Sequence, residues 1–129
     1  MIVLYLIRHG EVDNPNHVVY ANLPGFDLSC NGVLQAHATG NHLANARIDA
    51  VISSPLERAL HTAVPIAHRN DVAISIDHRL TETGMYPAWT GKRWEEVEID
   101  HASQLAGYLE DATALSDVHE TVSSIAARV

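Results

Sequence analysis

The sequence predicts an α/β fold: three layers, α/β/α, around a mostly parallel sheet. Three observations carry this. An apolar run, Met1-Ile2-Val3-Leu4-Tyr5-Leu6-Ile7, is too short to cross a bilayer and suits a strand buried on both faces. Strand-like and helix-like segments alternate as β-α-β-α-β through residue 76, with short connections, which implies a parallel, doubly wound sheet. The segment Ser54-Pro55-Leu56-Glu57 is a helix-start signal, with Ser54 as N-cap, Pro55 at the first helical position and Glu57 at the third.

Taken in order, the first strand is expected over Ile2 to Ile7, stopping at Arg8-His9-Gly10-Glu11. A loop rich in Pro, Asn and Gly follows, from Asp13 through Asn14, Pro15, Asn16, Leu23, Pro24 and Gly25. Ser29 can cap a helix over roughly Asn31 to Ala46, with Val33, Leu34, Leu43 and Ala44 as its inward stripe. The second strand is Ala50-Val51-Ile52, the next helix runs from Ser54-Pro55 to about Arg69, and the third strand is Val72 to Ile76. After Leu80-Thr81-Glu82 an irregular stretch carries Gly84, Pro87, Trp89 and Gly91. A helix is expected near Arg93 to Leu109, and a last one from about Asp117, which with Glu120 forms a second cap and places Val118, Val122, Ile125 and Val129 on one face. No repeat, low-complexity tract or linker marks a boundary. One domain over 1–129 is therefore expected, with an irregular and helical insertion at about 84–117.

Composition narrows the class. A hydrophobic fraction of 47% argues against disorder, and 129 residues suffice for a core. Lys+Arg 8 against Asp+Glu 16 gives a formal charge of −8, which argues against nucleic acid as a partner. An acidic protein that binds an anion must gather its few arginines at one place. The single Cys30 excludes an internal disulfide and a multi-cysteine zinc site. No apolar stretch reaches membrane length and no leader pattern opens the chain, so the expectation is a cytoplasmic protein with no membrane partner.

In open α/β sheets ligands bind beyond the carboxyl ends of strands, which is where Arg8 and His9 are expected. Arg58 lies in the first turn of the helix opened by Ser54-Pro55, where free N–H groups and the helix dipole already favour an anion. Arginine there adds a bidentate fork, although an exposed Arg58 paired with an acid is the plainer alternative. A neutral imidazole flanked by guanidinium groups suits nucleophilic attack on phosphorus, because phosphoryl transfer is mostly positioning and neutralisation of oxygen charge. Glu82, just beyond the third strand, is placed to protonate the leaving oxygen and to activate water; as a plain residue it is a solvated loop carboxylate.

These pieces resemble the histidine phosphatase superfamily, also described as phosphoglycerate-mutase-like. The resemblance rests on Leu6-Ile7-Arg8-His9-Gly10-Glu11 (the RHG motif), Leu28-Ser29-x-x-Gly32-x-x-Gln35-Ala36, Ser53-Ser54-Pro55-Leu56-x-Arg58-Ala59-x-x-Thr62-Ala63, Leu80-x-Glu82 and Trp89-x-Gly91. It implies that His9 is the phosphorylated nucleophile, that Arg8 and Arg58 bind the phosphoryl group, and that Glu82 is the acid and base. It implies no cofactor and no metal. Asn14 and Asn22, in the loop after the nucleophile, are possible substrate contacts or simply turn formers. The family also carries a second active-site histidine in a Ser-His-Gly-like turn after a later strand. None of the other eight histidines, His17, His37, His42, His61, His68, His78, His101 and His119, follows an apolar strand or precedes glycine. The chain is therefore expected to be an incomplete version of a longer protein, and a short form that dimerises is the alternative.

The activity expected is hydrolysis of small phosphate monoesters through a phosphohistidine. Mutase-type transfer to a phosphoglycerate is the first alternative, weakened because Glu82-Thr83-Gly84-Met85 stands where mutases carry a Glu-Arg-His-Tyr run. A catalytically impaired phosphate-binding or interaction module is the second, motivated by the absent histidine. His61 and His68, seven apart on one helix face, read as surface residues, and Glu95, Glu96, Glu98 and Asp100 as a solvated face. Trp89 and Trp94 are expected to pack the insertion.

Overall fold

The computed structural model describes residues 2–82, 86–111 and 120–129. The chain divides into two compact units, Met1–Asp13 with Gly25–His78 and Asn14–Pro24 with Arg79–Val129.

The first unit is built around a β-α-β crossover. Helix α1 spans Cys30–Leu43, strand β1 Val51–Ser53, helix α2 Glu57–Asn70 and strand β2 Ile74–Ile76. The strands pair in parallel, Val51 with Ile74 and Ser53 with Ile76, as short connections through a helix require. Helix α1 starts as expected: the Ser29 hydroxyl accepts the Gly32 N–H at 3.0 Å. Its inward stripe differs. Gly32, Ala36, Gly40 and Leu43 are the buried positions, while Val33 is 43% and Leu34 68% exposed. Small residues at four-residue spacing let α1 lie against α2 backbone to backbone. A Cβ on Gly40 would stand 2.8 Å from the Pro65 carbonyl oxygen. That close approach rotates the larger side chains outward.

Two further expectations are corrected in this unit. The capping box at Ser54 does not form. Helix α2 begins at Glu57, Ser54 Oγ accepts only the Leu56 N–H at a long 3.4 Å, and the Glu57 carboxylate accepts the Gly25 N–H instead. Strand β2 starts two residues late because the Val72 N–H is spent on the Ala67 carbonyl at the end of α2, where Asp71 adopts a left-handed φ of 55°. The largest correction concerns Ile2 to Ile7, expected as a buried strand. Among the described residues it joins no ladder, and Ile2, Leu4 and Leu6 are 97%, 77% and 87% exposed. An apolar run is buried only if neighbouring strands and helices cover it, and the sheet of the described residues consists of β1 and β2 alone.

The second unit joins the loop Asn14–Pro24 to the chain beyond β2. The Val19 N–H donates to the Lys92 carbonyl at 2.8 Å, Gly91 N–H to Val19 at 2.9 Å and Trp94 N–H to His17 at 2.9 Å. Helices α3, Trp94–Asp100, and α4, Ala102–Glu110, replace the single helix expected near 93–109. They break at His101, whose φ of −128° and ψ of 28° leave the helical region. The core here is Tyr86, Trp89 and Val97, with Val19, Leu105 and Tyr108 packed against it. Trp89 is 1% exposed; its ring lies 4.4 Å from that of Tyr86, and its indole N–H reaches Gln104 Oε1 at 3.1 Å. Trp94 meets it edge-on at 6.2 Å. Helix α5 spans Val122–Arg128 and is capped by Thr121; the expected helix start at Asp117, with Val118, lies outside the described residues. Among the described residues, no helix is long and apolar enough to cross a membrane.

Candidate active site

The Arg8-His9-Gly10-Glu11 segment is fixed in the first unit by bonds to both helices. On the α1 side, Ser29 N–H donates to the Glu11 carbonyl at 2.9 Å and Glu11 N–H to Gln35 Oε1 at 2.8 Å. The Glu11 carboxylate accepts the Ser29 hydroxyl at 2.6 Å and the Asn31 amide at 3.0 Å. Those two bonds hold the Glu11 carboxyl below its ordinary range. The backbones touch: a Cβ on Gly10 would meet the Gly32 carbonyl oxygen at 2.6 Å, and one on Gly32 would overlap the Glu11 carbonyl. Glycine at both places is what permits this turn to rest on the start of α1.

On the α2 side, the Gly10 N–H donates to Thr62 Oγ1 at 3.0 Å, and the Thr62 hydroxyl donates in turn to the Arg58 carbonyl at 2.7 Å. Arg58 is 1% exposed. Burial this deep is uncommon for an arginine and sets Arg58 apart from an exposed surface ion pair. His9 is half-buried, and its Nδ1 lies 2.8 Å from the Gly10 carbonyl oxygen. A carbonyl only accepts, so Nδ1 is the donor in this bond and Nε2 is the nitrogen left outside it. Arg8 is exposed beside it.

The first unit thus holds Arg8, His9 and Arg58, with the turn at Gly10 tied to the Arg58 turn of α2 through one hydroxyl. Asn14, Asn22 and Glu82 belong to the second unit. The Asn14 amide is engaged in its own loop, accepting from the Val18 N–H and donating to the Val18 carbonyl, both at 2.9 Å. Asn22 is exposed in a turn closed by the Leu23 N–H on the Tyr20 carbonyl. Glu82 is exposed and follows Thr81, whose carbonyl accepts a 2.9 Å bond from Arg128; that guanidinium also grips Glu120 at 2.6 and 3.0 Å.

Three features carry no assignment from sequence. One is Thr62, named only within a motif. Its signal was a hydroxyl one helical turn after Arg58. A second is the Glu11, Ser29, Asn31 and Gln35 clamp, for which the cues were the serine cap and the presence of Glu11 and Gln35 within motifs. The third is a His61 Nδ1 to Asp27 Oδ1 pair at 2.7 Å on the outer face of α2. Partial burial pushes the Asp27 carboxyl up, but the Leu28 N–H and His61 outweigh it and leave the group lowered. His68, on the same face, is exposed. Among the described residues no group of three or more His, Cys, Asp or Glu is placed to hold a metal ion.

Comparison with known proteins gives the family of the chain. The family model described as histidine phosphatase superfamily (branch 1) matches residues 4–129. An uncharacterised protein of Mycobacterium tuberculosis is 36% identical over 141 aligned residues, covering 92% of this chain and 70% of the relative. A glucosyl-3-phosphoglycerate phosphatase of the same organism is 30% identical, covering 97% of this chain and 56% of that protein. The solved native structure of the mycobacterial glucosyl-3-phosphoglycerate phosphatase superposes with a TM-score of 0.81 at 30% identity, over 93% of this chain and 56% of the other. The chain thus spans little more than half the length of that enzyme.

Proposed function

Since the chain belongs to the histidine phosphatase superfamily, we propose that it is the His9-bearing part of a phosphatase that hydrolyses small phosphate monoesters through a phosphohistidine. The observation that carries this reading is the His9 Nδ1 bond to the Gly10 carbonyl, which leaves Nε2 as the free nucleophilic nitrogen. The names of the relatives support it: a glucosyl-3-phosphoglycerate phosphatase and a phosphoserine phosphatase of Hydrogenobacter thermophilus are both similar to this chain.

In this reading Nε2 attacks phosphorus as the ester P–O bond breaks, and the leaving oxygen takes a proton from Glu82. Water, deprotonated by the same carboxylate, then attacks phosphorus; the P–N bond breaks and inorganic phosphate departs. Arg8 and Arg58 neutralise the oxygens whose charge rises between ground state and transition state, which is where binding energy accelerates the step. Asn14 and Asn22 belong to the loop that follows the nucleophile and are the proposed contacts to the rest of the substrate. The reading calls for no cofactor.

The test is capture of the intermediate. Rapid quenching in base after mixing with an aryl phosphate labelled with ³²P should leave acid-labile label on His9. His9→Ala should abolish both label and turnover with an unchanged circular dichroism spectrum. Turnover that survives His9→Ala sinks the mechanism. Label on His9 passed to a phosphoglycerate acceptor rather than to water would favour a mutase.

A further inference from the structure

Resting on that phosphohistidine reading, we propose that Thr62 is a positioning residue for phosphoryl transfer, acting through its hydroxyl on the peptide between His9 and Gly10. The hydroxyl sits at a junction. Its oxygen accepts the Gly10 N–H at 3.0 Å, and its single proton goes to the Arg58 carbonyl at 2.7 Å. The side chain is 5% exposed, so water does not replace either bond.

The Gly10 N–H belongs to the same rigid peptide plane as the His9 carbonyl and Cα. Fixing that N–H fixes the direction from which the imidazole leaves the backbone. The next peptide contributes as well, because the Gly10 carbonyl accepts the bond from His9 Nδ1. Both polar groups of Gly10 are therefore spent on orienting His9, one directly and one through Thr62. The other end of the junction is the backbone of Arg58. A single hydroxyl thus sets the distance between the nucleophile turn and the helical turn that presents the guanidinium. Hydrogen bonds in such a chain polarise one another, which stiffens it. Displacement of a nucleophile by about 1 Å is enough to cost about 100-fold in rate, so a group that holds this separation governs kcat without touching substrate.

The residue type fits the task. Valine has the same shape and fills the same space, yet it would leave the Gly10 N–H buried without an acceptor. Serine keeps the hydroxyl and loses only a methyl group. The two substitutions therefore separate the hydrogen bond from the packing.

The experiment compares wild type, Thr62→Val and Thr62→Ser with an aryl phosphate, reading kcat, KM and the amplitude and rate of His9 phosphorylation. It adds ¹⁵N imidazole spectra of His9 and hydrogen exchange of the Gly10 amide in the wild type. The expected result is a fall in kcat and in the phosphorylation rate of about 10- to 100-fold in Thr62→Val, with KM changed less than about threefold and recovery to within about threefold in Thr62→Ser. The His9 spectrum should show a proton on Nδ1 in wild type and Thr62→Ser, and a mixture of tautomers in Thr62→Val. Equal rates in Thr62→Val and wild type overturn the inference, as does a folded Thr62→Ser as slow as Thr62→Val. If Thr62→Val does not fold, the wild-type exchange decides: a slow Gly10 amide with rescue in Thr62→Ser supports the role, and a fast one removes it. Absence of label on His9 in the wild type defeats the phosphohistidine reading itself, and is distinguished from failure of Thr62 by that control.

Discussion

The Glu11 carboxylate accepts the Ser29 hydroxyl at 2.6 Å, joining the residue two positions after His9 to the N-cap of α1. With the Asn31 amide on its other oxygen, the carboxylate is the charged centre of the clamp that holds the Arg8-His9-Gly10 turn. Its pKa lies below the ordinary glutamate value of 4.5, lowered first by Ser29 and then by Asn31. A carboxyl with a depressed pKa in the folded state contributes stability that is present above its unfolded value and lost as pH falls through its folded value. The difference in melting temperature between wild type and Glu11→Gln is expected to be constant near neutral pH and to shrink below about pH 4.5. The lowered Asp27 titrates in the same acid range in both proteins, so the comparison isolates Glu11. A gap that stays constant down to pH 3 would show that the clamp gains nothing from the charge.

Arg58 tests the electrostatic half of the proposal. It is buried on α2 one turn before Thr62, and lysine there would keep the charge while losing the planar fork that matches two phosphoryl oxygens. Arg58→Lys is expected to lower kcat/KM toward an aryl phosphate by about 100-fold, the scale of losing one preorganised transition-state donor. Inorganic phosphate should also inhibit the variant more weakly. Wild-type kinetics in Arg58→Lys would remove Arg58 from the site.

Much of this arrangement was legible in the sequence because it is local. Ser29 caps α1 as its position demands, β1 and β2 flank a helix in parallel, and Trp89 anchors the packing of the second unit. What was hidden depends on partners distant along the chain. The Ser54 box fails because Glu57 finds the Gly25 N–H, 32 residues earlier. Thr62 reads as an ordinary helical residue until the Gly10 N–H, 52 positions away, arrives at its oxygen. The run from Ile2 to Ile7 shows the same limit from the other side: its composition specifies a strand, but burial requires neighbours that composition does not contain.

Two glycines with opposite surroundings make a sharper test of the backbone contact at the site. In Gly32, at the start of α1, an added methyl group would overlap the Glu11 carbonyl oxygen, and that oxygen is backbone already committed to the Ser29 N–H. Neither side can yield without moving the turn that carries His9. Gly32→Ala is expected to destabilise the protein by about 1–3 kcal/mol, the usual cost of overpacking, and to lower kcat as well. Gly107 lies inside α4 with nothing within 4 Å of its would-be methyl group. Alanine there reduces the entropy lost on folding, so Gly107→Ala should stabilise by about 0.5–1 kcal/mol and leave activity unchanged. Urea unfolding of the two variants beside wild type reads both signs at once. A Gly32→Ala variant as stable and as active as wild type would mean that the turn carrying His9 does not rest on α1, and the clamp around Glu11 would lose its basis.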